Sequence, residues 1–343
     1  MQQTAEWLQR GQALEGRGNF PEALSCYDQA IALVRSAGVS DHASRRLLGI
    51  AWMNRGNALQ QLQTAGSIVD AVAAYDEAIA VLQTLPFESD PGFRNHLGAA
   101  WLNRGHALLL ASDASGVASF EQAISQLEKL PLDADPYFRL NLAGAWTNLA
   151  HATLASAPSR ARDAAVTALL TLSPVERSHE AFATMSLRAR RALIMALGEQ
   201  LRAAELSRSP TTDLLSEATD AVDDGLAVAR EFAPRGSPAF RALAARLFRL
   251  GAQLYGRHQP HFLGEFLLEQ LAAPAFAHDP EFRTIAEAAL AQALAEIQRP
   301  QLLIANTAGA AKAIDTARAI RAAQQQLSHL PALAKEPAPT SRT

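Results

Sequence analysis

The chain has 343 residues but only one cysteine and three lysines, and its net charge is −3. Each scarcity excludes something. Cys26, alone, cannot form an internal disulfide, and such usage fits a reducing compartment. No run of about 18 apolar residues occurs, so no membrane span is expected. A helical pattern begins almost at the first residue, without the basic-then-apolar opening of a signal peptide. No basic stripe accompanies the near-neutral charge, which argues against nucleic acid as the main ligand. Lys129, Lys312 and Lys335 are the only lysines, so the positive charge is nearly all arginine, which coding bias explains. Segments with a strand's two-residue alternation are missing as well.

What the chain does have is a repeat. Residues 90–109, DPGFRNHLGAAWLNRGHALL, return at 135–154 as DPYFRLNLAGAWTNLAHATL and earlier at 41–60 as DHASRRLLGIAWMNRGNALQ. Fainter copies stand at 237–256 and 279–298. Asp90–Pro91 is a helix start: the carboxylate accepts orphan N–H groups of the first turn, and proline gives up an N–H that had no partner. Asp135–Pro136 and Asp279–Pro280 repeat the device, and Ser237–Pro238 substitutes a hydroxyl. Phe93, Leu97, Ala100, Trp101 and Leu108 then fall at helical spacing. The four tryptophans, Trp7, Trp52, Trp101 and Trp146, hold one position of the repeat and lie 45, 49 and 45 residues apart. A period in this range signals a solenoid of helix pairs.

A second helix follows each first one. Its marks are Ala23/Tyr27/Ala30, Ala71/Tyr75/Ala78 and Gly116/Phe120/Ala123, whose offsets of four and three share one face. The expected hairpins cover residues 4–36, 41–85 and 90–130, with a fourth from Asp135 that turns at Ala157-Pro158-Ser159. Beyond it the pattern degrades. Helices are expected at about 178–206, 213–232, 238–256, 261–271, 280–298 and 302–329, some fourteen in all, with SRSPTT at 207–212 as a linker or boundary. The fold class is all-α. The expected organisation is a repeat region at 1–156, degenerate helical repeats and a cap at 157–330, and a proline-rich, disordered tail at 331–343.

Catalytic and cofactor chemistry leaves little trace. His258, His261, Glu265 and Glu269 cluster, but Pro260 separates the histidines, and a solvated helix start explains them better than a metal site. Gly16-Arg17-Gly18 is too short for a dinucleotide fingerprint and follows no strand. His106 and His151 have no recurring nucleophile or carboxylate beside them. No cofactor, no metal and no enzymatic activity are therefore expected.

Trp7, Gly11, Leu14, Gly18, Phe20, Ala23, Tyr27 and Ala30 stand at the signature spacings of the tetratricopeptide repeat (TPR), which the first hairpin resembles closely. Trp52/Gly56/Leu59 and Trp101/Gly105/Leu108 extend the match over about residues 4–156. The longer repeat, with its Asp-Pro entry and Asn-rich first helix, is similar to the variant in kinesin light chains and LGN-type polarity adaptors. The resemblance implies a right-handed superhelix whose first helices line a concave groove that holds a peptide. Two residues after each Trp stand Gln9, Asn54, Asn103 and Asn148; five residues after stand Gln12, Asn57, His106 and His151. Positions three apart share a helix face, so these eight make two polar rows. In the resembled adaptors, Asn at these positions hydrogen-bonds a peptide backbone, which its donors and acceptor allow. The alternative is that the amides bridge adjacent first helices.

The sequence also departs from the family. Leu8, Met53, Leu102 and Thr147 stand where TPR proteins that capture chaperone C-termini carry lysine, so that activity is not expected. Arg10, Arg55 and Arg104 replace a usual leucine, and Asp28, Asp76 and Glu121 follow the second-helix aromatic. Two readings are open: ion pairs within each hairpin (Arg10–Asp28, Arg55–Asp76, Arg104–Glu121), or arginines that lay their stems over the Trp and end in water.

The expectation is a protein–protein interaction scaffold or adaptor in the bacterial cytoplasm, with a peptide or partner protein in its concave groove. Nucleic acid and membrane are not expected partners. The alternatives are a peptide-responsive regulator and a non-catalytic helical subunit of an enzyme complex. Self-association through a terminal helix such as 302–329 is a further option, because stacked repeats need capped ends.

Overall fold

A computed structural model describes residues 2–38, 41–277, 279–297 and 307–329. Among them are fifteen helices and no strand. The helices are α1 (Gln2–Glu15), α2 (Phe20–Ala37), α3 (His42–Gln61), α4 (Ala65–Leu82), α5 (Pro91–Leu110), α6 (Gly116–Leu127), α7 (Pro136–Thr153) and α8 (Pro158–Leu172). They continue as α9 (Glu180–Ser207), α10 (Thr212–Phe232), α11 (Pro238–His258), α12 (Leu263–Leu271), α13 (Pro274–Ala277), α14 (Pro280–Ile297) and α15 (Thr307–His329). The four-residue α13 was not expected. The tail at 331–343 and the start of the 302–329 helix lie outside the described residues.

The starts are set by the caps that the sequence supplies. Asp90 accepts from Gly92 N at 2.7 Å, Asp135 from Tyr137 N at 2.8 Å and Ser237 from Phe240 N at 3.2 Å. Asp41 accepts from Ser44 N at 2.7 Å without a proline behind it. Each such cap is worth about 1 kcal/mol.

The chain forms two compact units, Met1–Pro174 and Val175–Thr343. The first is an all-α stack of antiparallel hairpins, α1–α2, α3–α4, α5–α6 and α7–α8. Each second helix packs on its own first helix and on the next one, so α2 lies against α3, α4 against α5 and α6 against α7. Successive first helices also touch directly, α1 to α3, α3 to α5 and α5 to α7.

Close packing inside a hairpin comes from a glycine opposite a ring. A methyl group on Gly56 would lie 2.6 Å from Tyr75 Cε1, so only glycine fits there. Gly11 with Tyr27 and Gly105 with Phe120 repeat the arrangement. The ring also reaches the following hairpin: Tyr27 shares a buried cluster with Leu48, Ala51 and Ala58. In the fourth hairpin the ring position is Ala165 and the glycine position is Ala150, both buried. This is a TPR-like helical repeat.

The second unit has no such regularity. Its helix α11 packs against α9, α10, α12 and α14. Phe248 on α11 stacks on Phe282 at 5.0 Å and on Phe266 at 5.8 Å, and Phe276 stacks on Phe282 at 4.2 Å between centroids. The segment 207–212 is the turn between α9 and α10, which pack on each other, and not a boundary. Composition drew attention to it because Ser and Pro mark any turn, whether or not domains part there.

Candidate functional site

The site is built on the first helices of the Met1–Pro174 unit, and the tryptophans anchor them. All four are half-buried. Trp7 and Trp52 pack on the first hydrophobic cluster, and Trp52 and Trp101 on the next. Three residues later on the same face, an arginine returns over the indole. The guanidinium carbons of Arg10, Arg55 and Arg104 lie 5.3, 5.6 and 5.6 Å from the ring centroids of Trp7, Trp52 and Trp101. Such a contact is worth about 0.5–1 kcal/mol where water reaches it.

Two of these arginines, Arg55 and Arg104, make ion pairs, but not the expected ones. Arg55 pairs with Asp28 at 2.8 Å and Arg104 with Asp76 at 2.7 Å, each reaching back to the preceding hairpin. Glu121 pairs with Arg160 of α8. The intra-hairpin pairs are therefore wrong by one repeat. The reason is geometric. The aromatic faces its own glycine, so the residue after it, about 100° further round the helix, faces the next first helix. The pairs stitch repeat to repeat, and because both partners keep solvent exposure each contributes at most about 1 kcal/mol.

The predicted polar rows occupy graded environments. Gln9, Gln12 and His106 are exposed; Asn57, Asn103, Asn148 and His151 are half-buried; Asn54 is 7% exposed. The structure brings two of them together. Asn103 Nδ2 donates to Asn57 Oδ1 at 3.0 Å across α5 and α3. Tyr75 hydroxyl donates to the same oxygen at 2.9 Å and lies 3.3 Å from Gln60 Oε1. Gln60 Nε2 meets His106 Nδ1 at 2.6 Å, and Asn141 Nδ2 donates to Asn95 Oδ1 at 2.8 Å. Bridging of adjacent first helices, the alternative raised by the sequence, is thus present at Asn57–Asn103. Gln9, Gln12 and Asn148 are not drawn into these bridges. The Asn54 amide nitrogen is buried without a partner, as is Trp52 Nε1.

Gln60, Asn95 and Asn141 are participants that the sequence reading missed. All three bridges join residues 46 apart, whereas Trp52 and Trp101 are 49 apart. Neighbouring α3 and α5 are therefore staggered by about one turn, and Trp+5 of one meets Trp+2 of the next. An amide-to-amide spacing of 46 was the available signal.

Phenol chemistry supports this wall. Burial pushes the Tyr75 hydroxyl well above the ordinary phenol range, and for Tyr27 burial is joined by the Glu15 carboxylate that its hydroxyl meets at 2.8 Å. Both stay neutral donors. Phe120 has no hydroxyl, and the residue corresponding to Glu15 and Gln60 is Leu109, so polarity at the ring tip and on the first helix change together.

Elsewhere the histidine and carboxylate cluster diverges. His258 Nδ1 is 3.2 Å from Glu205, and Glu269 faces Arg230 at 3.9 Å. Among the described residues no three His, Cys, Asp or Glu side chains are grouped as metal ligands, and no helix is long and apolar enough to cross a membrane.

No protein-family model matches this chain, and no curated protein matches it. Among solved structures, the crystal structure of the apo form of RapI is similar at a TM-score of 0.43 and 10% identity, over 95% of this chain and 98% of that one.

Proposed function

We propose that this chain is a protein–protein interaction scaffold that holds an extended segment of a partner protein along the first-helix face of the Met1–Pro174 unit. Gln9, Gln12, Asn54, Asn57, Asn103, His106, Asn148 and His151 supply the contacts. The observation that carries the reading is the Asn57–Asn103 bridge, half-buried between α3 and α5. It spends one donor and one acceptor, leaving Asn57 Nδ2 and Asn103 Oδ1 outside the bridge. A donor and an acceptor at fixed spacing match the alternating N–H and C=O of an extended backbone, whatever its side chains. Holding the amides in place beforehand reduces the ordering cost of binding. The kinship with kinesin light chain and LGN-type adaptors belongs to this proposal, as does the division of the chain into a groove region at 1–156 and a degenerate, capping region at 157–330. So do the bacterial cytoplasm as its setting and the lack of catalytic activity.

The test is capture from a native lysate by the wild-type chain and by an Asn103→Ala/Asn148→Ala variant, with melting curves to show that both fold. Partners retained by the first and lost by the second support the reading. An identical partner set from both contradicts it.

A further inference from the structure

A cleft on the second-helix side of the same unit is not used by the amide face. It has a volume of about 430 Å³ and lies between α6 and α8, with Trp146, Leu149 and Ile124 at its apolar floor. Glu121, Glu128 and Asp163 stand around it against one cation, Arg160, which pairs with Glu121.

Its meaning comes from the equivalent places in the two preceding repeats. Between α2 and α4, Trp52 is covered by two guanidiniums, Arg55 at 5.6 Å and Arg35 at 5.1 Å. Between α4 and α6, Trp101 is covered by Arg104, which also bonds Asp76 and Ser119. At Trp146 both cation positions differ from those at Trp52, whereas at Trp101 only the second differs, being Gln83. Leu149 stands where Arg55 and Arg104 stand, three residues after the Trp. Glu128 stands where Arg35 stands, eight residues after the second-helix aromatic. The indole and the acid after the aromatic remain, the acid now paired with Arg160 of α8; neither of the two positions holds an arginine, and a second acid has come in.

We propose that the cleft over Trp146 receives an arginine side chain presented by a partner protein, which completes in trans the Trp–Arg–carboxylate arrangement that the earlier repeats build in cis. The charge balance of three carboxylates to one guanidinium favours a cation. The planar guanidinium suits an indole face with flanking carboxylates better than a lysine ammonium does. This inference does not depend on the amide face.

The test uses the isotope-labelled full chain and a blocked Gly-Arg-Gly tripeptide, followed through the four indole N–H resonances. The expected result is a saturable shift of the Trp146 signal, at least about threefold tighter than with Gly-Lys-Gly, and none with the citrulline peptide. Leu149→Arg and, separately, Glu128→Arg put back the internal cation; each should weaken peptide binding at least about tenfold without lowering the melting temperature. Three results overturn the proposal. They are no shift at Trp146, equal binding of the lysine peptide, and undiminished binding by both folded variants. A Trp146 shift that follows protein concentration without peptide would assign the cleft to a second copy of this chain and overturn it as well.

Discussion

The two units bury comparable helices by different means. In Met1–Pro174 the second helix of each of the first three hairpins sets one fully buried ring, Tyr27, Tyr75 or Phe120, on a glycine of its own first helix, and the repeats are joined by amide bridges and cation-capped indoles. In Val175–Thr343 four rings collect in one place, where Phe248, Phe266, Phe276 and Phe282 stack around α11. A stack of repeats distributes its stability over nearest-neighbour contacts, whereas a hub concentrates it. The first arrangement also frees one face of every repeat for polar side chains, because the ring does the packing from the other side.

The comparison can be broken most forcefully at the hub. Phe248→Ala should cost about 3–5 kcal/mol and loosen the whole second unit, as seen by loss of amide protection across α11, α12 and α14. Loss confined to α11 would mean that the unit has no hub. Next comes Gly56→Val, which drives a side chain into the Tyr75 ring and should cost about 1–3 kcal/mol or more. Its effect on amide exchange should stay in α3, α4 and their immediate neighbours; collapse of α7–α8 along with them would contradict nearest-neighbour stability. Tyr75→Phe removes the donor shared by Asn57 and Gln60 and should cost about 1 kcal/mol in a denaturant titration. No change there would show that the amide wall does not need the phenol. Asp76→Asn should be smallest, under about 1 kcal/mol, and its effect should vanish in high salt. A larger, salt-independent cost would mean that the stitching pairs matter more than their exposure allows.

Much of the first unit was legible before any coordinates, because its rules are local. Asp-Pro caps and the Gly–aromatic spacing act within one hairpin, the Trp period counts the hairpins, and the helices begin and end close to where those signals placed them. The contacts between hairpins were not legible in the same way. The ion pairs were expected one repeat too early, since sequence shows that Arg55 and an acid belong together but not which of two flanking second helices faces it. The bridge of Asn57 to Asn103, and of Gln60 to His106, depends on a stagger of about one turn between α3 and α5 that only packing sets. In the second unit, the stretches 237–256 and 279–298 read as faded copies of the repeat. The ring stack around Phe248 draws together residues from helices whose order no periodicity announces.

The central claim is that the first-helix face of the repeat unit is where a partner segment lies. It is tested most directly by placing a photo-crosslinking amino acid in the cell at position 106 of α5 and, in parallel, at position 73 on the exposed side of α4. The account predicts a discrete protein adduct from position 106 and none from position 73; an adduct from position 73 alone, or from neither, would contradict it.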